Sequence, residues 1–181
     1  MPRQEHSRQV AIAGATGLVG QELLRQLLDS SLYGAVYAVG RRAPPVPGQK
    51  LRAIVSDLGA IPPLPHIDAA YCCLGTTIRK AGSQAAFRAV DFDMVLRFAS
   101  AAKHAGAKQF LVVSSLGADT ASSVFYSRIK GEMEQALIAL KFHSLQIYRP
   151  SLLVGERIET RLTEHAGIAL LSAITPLMIG P

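Results

Sequence analysis

Cysteine is scarce in this chain: two in 181 residues, Cys72 and Cys73, side by side in an apolar segment. Neighbours on a strand point to opposite faces, so these two are badly placed to pair with each other. Packing is then their plain role, and a reducing cytoplasm is the expected location. Charge is sparse as well, at 18% of residues against 49% hydrophobic, which excludes a disordered chain. No apolar run is long enough to span a bilayer, and the longest, 166–180, contains Pro176. The opening Met1-Pro-Arg-Gln-Glu-His is polar and lacks the apolar stretch of a signal peptide. No membrane role is expected. His6, His66, His104, His143 and His165 show no ligand-like spacing with carboxylates or cysteines, so no metal is expected either. Internal repeats and low-complexity tracts are absent, and the length suits a single domain, 1–181.

The net charge is +6, but the basic residues are scattered and form no stripe with aromatics. That pattern argues against a nucleic-acid surface, and a basic cluster serving an anionic cofactor accounts for part of the excess.

What the chain does have is alternation. Short apolar runs at Gln9–Gly14, Ala35–Gly40, Leu51–Val55, Ala69–Leu74, Gln109–Ser114 and Ser144–Arg149 read as strands. Between them, segments of helical period run over Leu18–Asp29, Asp91–Ala105 and Tyr126–Leu140. Pro44-Pro45-Val46-Pro47-Gly48 cannot be a regular helix, and three prolines within 57–65 predict a short or missing crossover helix there. Strands alternating with helices predict a doubly wound α/β domain: a parallel sheet between two helical layers.

Between the first strand and the first helix stands Gly14-Ala15-Thr16-Gly17-Leu18-Val19-Gly20. Glycine allows a sharp turn and a close backbone approach to a pyrophosphate, which the following helix meets with unpaired N–H groups and a partial positive charge. Gly20 would let the helix pack tightly on the strand. A domain that holds NAD carries an acid about 20 residues further on, for the ribose 2′-hydroxyl. Here the second strand ends Val39-Gly40-Arg41-Arg42. Guanidinium groups bind phosphate through charge-assisted hydrogen bonds, so Arg41 and Arg42 favour NADP(H). Asp57, after the third strand, suits either a contact to the adenine amino group or an ordinary turn.

Tyr126-Ser-Arg-Ile-Lys130 puts a tyrosine and a lysine on one helix face. Free tyrosine ionises near pH 10, too high for efficient proton transfer at neutrality, and an adjacent ammonium favours the phenolate. The lysine also has donors for a ribose hydroxyl. Ser114 and Ser115, closing the fifth strand at the carboxyl edge of the sheet, are candidates to hold a carbonyl oxygen.

Together these residues resemble the short-chain dehydrogenase/reductase superfamily, a Rossmann-like group, and within it atypical members similar to the Tat-interacting-protein oxidoreductase group. The likeness runs from about Val10 to Val154. It rests on GATGLVG, VGRR, CCLGTT (Cys72–Thr77), VSSLGAD (Val113–Asp119), YSRIK and YRPSLL (Tyr148–Leu153). The resemblance implies that Thr16, Gly17, Leu18 and Val19 line a pyrophosphate, and that Leu74 and Gly75 meet the middle of the cofactor. It also implies that Leu153 lies near the nicotinamide, that Arg161 contacts the cofactor, and that Tyr126 and Lys130 are the catalytic pair. Two departures follow from the same comparison. An active-site asparagine of the superfamily is replaced at the nearest position by Asp91, and relatives continue for some tens of residues past the position of Pro181.

The expected function is an NADP(H)-dependent oxidoreductase acting on a small carbonyl or alcohol. A non-catalytic module that senses NADP(H) or binds a partner is the alternative, since fold does not fix function. A sugar-nucleotide epimerase ranks third, because the chain leaves little room for a nucleotide-sugar domain. The apolar stretch 168–179 suits either a cover over the site or a subunit contact, so a homodimer is an expectation too.

Overall fold

Six apolar runs become six parallel strands in a computed structural model that describes residues 7–151. They are β1 (Arg8–Ala13), β2 (Tyr33–Gly40), β3 (Leu51–Val55), β4 (Ala69–Cys72), β5 (Gln109–Val113) and β6 (Ser144–Tyr148). The order across the sheet is β3-β2-β1-β4-β5-β6. This is the order of a doubly wound, Rossmann-like sheet, the fold class predicted from the sequence, with the connections reversing direction between β1 and β4. Val10 is paired with Val36 of β2 on one side and Ala69 of β4 on the other. As the central strand, β1 is covered on both faces, and Val10, Ala11, Ile12 and Ala13 are fully buried. That is why it reads as an unbroken apolar run and not as an alternating one.

The helices cover the two faces. α1 (Leu18–Asp29) turns Leu24 and Leu27 onto Val10, Ile12 and Val36. On the other face, α4 (Val95–His104) and α5 (Phe125–Ala139) press Phe98, Ala102, Met133 and Leu137 against Phe110 and Val112. No helix forms between β3 and β4, as the prolines of that segment predict. Among the described residues no helix is long and apolar enough to cross a membrane.

One stretch departs from the expected helix over Asp91–Ala105. The helical course begins earlier, with α2 (Ile78–Ala81), then α3 (Gln84–Arg88), and reaches α4 through a π-helical turn at Ala89–Met94. Thr77 and Ser83 start the two short helices by accepting the N–H groups of Lys80 and Ala86 on their hydroxyls. A π turn adds a residue to the spiral and so breaks the 3.6-residue period by which a helix is read from sequence. The strand ends also differ by a residue or two, as at Gly14, which belongs to the turn and not to β1.

Candidate functional site

The site lies where the carboxyl ends of β1, β4 and β5 meet the starts of α1 and α5. Gly14 leaves β1 with φ +81°, a backbone state that favours glycine. A Cβ on Gly14 would stand 2.5 Å from the carbonyl carbon and oxygen of Cys73, at the end of β4. One on Gly20 would stand 2.0 Å from the Gly14 carbonyl oxygen. The two glycines therefore set how closely α1 and β4 approach the turn. Gly17 caps α1 through its backbone alone, its carbonyl accepting Gln21 N–H at 2.9 Å, and no side chain caps that end. The first turn of α1 also carries no acidic residue. Thr16 and Gly17 are exposed there, with Leu18 and Val19 half-buried behind them.

At the end of β2, Arg41 and Arg42 are exposed. Neither pairs with a carboxylate among the described residues. Asp57 is exposed and engaged in a turn, its Oδ1 accepting the N–H of Gly59 at 2.7 Å and of Ala60 at 3.2 Å. The local turn is thus the role its geometry displays.

Two serines expected to share a duty part ways. Ser114 is buried, and its hydroxyl donates to Glu134 Oε1 on α5 at 2.5 Å. Glu134 is itself buried and accepts from Arg149, whose Nε lies 3.0 Å from Oε1. Ser115 is half-buried, and among the described residues its hydroxyl reaches only the Leu116 carbonyl, at 3.2 Å. Of the pair, Ser115 is the one with a hydroxyl not committed to the interior.

Tyr126 and Lys130 sit one turn apart on α5. The Tyr126 ring packs against Phe87, centroids 5.4 Å apart, and its hydroxyl makes no hydrogen bond among the described residues. Lys130 is different. Its Nζ lies 2.7 Å from Asp91 Oδ1, and the two side chains are 4% and 0% exposed. Asp91 Oδ2 also accepts the Thr76 N–H at 2.9 Å, tying down the loop after β4. A Cβ on Gly75 would stand 3.5 Å from Asp91 Oδ1 and 3.9 Å from Lys130 Nζ. Gly75, Thr76, Asp91 and Lys130 therefore form one cluster, and the Leu74 N–H lies beside Gly14 instead. The sequence marked Asp91 as standing in place of an asparagine and Arg149 as part of the YRPSLL motif, gave neither a partner, and did not single out Glu134. The signal for Asp91 was its place beside Ala89 and Val90 at the start of the helical stretch; nothing local tied Glu134 to Arg149.

Burial shapes the cysteines beside this cluster. It pushes the Cys72 thiol up to about 12 and the Cys73 thiol up to about 11. Leu153, Arg161 and the stretch 168–179 lie outside the described residues.

With that geometry in hand, the HIM1 family model matches residues 48–177. Protein HTATIP2 of Rattus norvegicus is 38% identical over 162 residues, covering 86% of this chain and 66% of that protein. The fmp52 protein of Emericella nidulans, named as mitochondrial, is 37% identical over 167 residues, covering 86% of this chain and 71% of that one. Among solved structures, UDP-glucuronic acid 4-epimerase from Bacillus cereus, in complex with UDP-glucuronic acid and NAD, superposes with a TM-score of 0.69 at 18% identity. It covers 91% of this chain and 63% of the epimerase. A likeness at that identity speaks for the fold alone. The resemblance to the Tat-interacting-protein group is borne out by the rat relative. The cytoplasmic expectation is overturned by the fungal relatives, which are named as mitochondrial. The reasoning failed because unpaired cysteines report a redox state and not an address.

Proposed function

The chain belongs to the HIM1 family, and from that premise we propose that it binds a nicotinamide dinucleotide, NADP(H) in preference to NAD(H), as an oxidoreductase of small carbonyls or alcohols. Its kinship with HTATIP2 and its Rossmann-like fold support the coarser reading, an oxidoreductase-like nucleotide-binding protein. The phosphorylated form and the tyrosine chemistry are the finer reading.

The residues present fit such a group. Gly14 and Gly20, lacking a Cβ, let the turn pack tightly against β4 and α1, and α1 presents its first N–H groups beside exposed Thr16 and Gly17 without a side-chain cap or an acid. The observation that carries the choice of NADP(H) is the pair Arg41 and Arg42, exposed after β2 without a carboxylate partner among the described residues. Two guanidinium groups welcome a 2′-phosphate, and no acid stands there to repel it. When bound, the dinucleotide supplies or accepts a hydride. This chain's own part is to hold it, to keep Lys130 in place, and to move a proton at the Tyr126 hydroxyl. The lack of any other partner for that hydroxyl among the described residues supports this role. Ser115 is the hydroxyl left to hold a substrate oxygen. Kinship with proteins named as mitochondrial supports that compartment for this chain as well.

Titration of the purified protein with NADPH and with NADH tests the reading. NADPH should bind more tightly, and R41A/R42A should weaken NADPH about tenfold or more, equivalent to one good charge-assisted bond, while leaving NADH unchanged. Preference for NADH, or no binding of either, would overturn it. The second reading, a nucleotide-sensing module without turnover, is favoured by the inward turn of Ser114 and by Asp91 standing where an asparagine was expected. NADPH consumption across a panel of small aldehydes and ketones decides between the two.

A further inference from the structure

We propose that Asp91 is a positioning residue for the dinucleotide site, binding Lys130 and the Gly75–Thr76 peptide into one preformed unit. The inference rests on the function proposed above and assigns a duty within the same site. Three observations carry it. Asp91 is fully buried on the π-helical turn between α3 and α4, and turns of that kind recur at functional sites. One carboxylate oxygen lies 2.7 Å from the Lys130 ammonium, and the other accepts the Thr76 N–H at 2.9 Å. Gly75, the residue before Thr76 in the loop after β4, brings bare backbone against both charged groups.

A carboxylate does here what an amide cannot. It offers acceptors in two directions at once, whereas an asparagine that accepted the Thr76 N–H would turn its own NH₂ donors toward the ammonium. Lysine has three donors, so the bond to Asp91 fixes the ammonium and leaves N–H groups for a ligand hydroxyl. Held in this way, the lysine loses little freedom when a ligand arrives, which is how preorganisation raises affinity. Without Asp91, Lys130 would be a buried charge with its carboxylate removed, which is costly. The ribose that a lysine at this place would meet is common to both dinucleotides. Loss of Asp91 must therefore weaken NADPH and NADH alike, unlike loss of the two arginines.

Nucleotide titration and urea unfolding of the wild type, D91N, K130M and D91N/K130M test this. D91N should bind both dinucleotides about tenfold more weakly and unfold at lower urea. D91N/K130M should regain stability, because the lone buried charge is gone, yet bind no better than K130M. A purely structural pair predicts instead that affinity returns with stability. Wild-type affinity in D91N, or recovery of affinity in the double variant, would overturn the proposal. Should D91N fail to fold, D91N/K130M is read against K130M: equal affinity supports action through Lys130, and a further loss overturns it. A wild type that binds neither dinucleotide removes the proposed function and this inference together. A wild type that binds, with D91N indifferent, removes this inference alone.

Discussion

The two parts of the candidate site are built on different principles. At the turn after β1, backbone fixes everything: Gly14 at positive φ, Gly20 against the Gly14 carbonyl, and a helix start capped by main chain. Around Lys130, side chains from separate elements meet, Asp91 from the π turn and Lys130 from α5, with main chain from Gly75 and Thr76 beside them. One turn further along α5, Glu134 joins Ser114 of the β5 end and Arg149 after β6 in a second such knot. The lesson concerns tolerance. A backbone-built turn has no substitute for its glycines, while a side-chain cluster can lose one member and leave the fold standing but change what the site does.

The sharpest way to break that contrast is Gly20→Ala. Its Cβ would lie 2.0 Å from a main-chain oxygen, so α1 must move. Urea unfolding should show a loss of about 3 kcal/mol or more. A stable variant with nucleotide affinity intact would mean that the turn is more pliant than its geometry implies. At the other end, Tyr126→Phe should lower turnover about a hundredfold while leaving NADPH affinity within a factor of about three, because the ring still packs on Phe87. Equal turnover would remove tyrosine from the chemistry.

The two serines sharpen the comparison on a smaller scale. Ser114→Ala deletes a donor to buried Glu134 and should cost about 1 kcal/mol in unfolding, with turnover close to normal. Ser115→Ala should do the reverse, changing stability by less than about 0.5 kcal/mol and turnover by about tenfold. Matched effects in the two variants would show that the serines are not divided between structure and site. The smallest effect belongs to the cysteines. Burial disfavours their thiolates and places both thiols far above neutrality. Iodoacetamide should therefore modify the native protein very slowly at neutral pH and rapidly in urea, as mass spectrometry can follow. Fast labelling of the native Cys73 would show that the end of β4 opens in solution.

Much of the architecture was legible because it follows from local rules. The GATGLVG turn, helix Leu18–Asp29 and strand Leu51–Val55 appear where pattern and turn chemistry put them. The prolines of 57–65 ruled out a crossover helix, and none is there. The π turn was not legible, since an inserted residue disguises the helical period. Nor was the fate of Ser114: its partners are 20 residues away at Glu134 and, through it, at Arg149. No spacing rule connects a strand end to a carboxylate 20 residues down the chain, across a loop and most of three helical turns.

Residue order by itself determined the parallel sheet, the glycine turn and the bare arginine pair after β2. Each depends on neighbours in sequence: apolar period, φ preference, or the absence of an acid at one place. Tertiary structure alone decided that Asp91 would face Lys130, that Ser114 would turn inward and that Ser115 would remain available. Those outcomes depend on which buried charge finds a partner once distant segments pack, because an ammonium taken out of water needs a carboxylate wherever the fold can supply one.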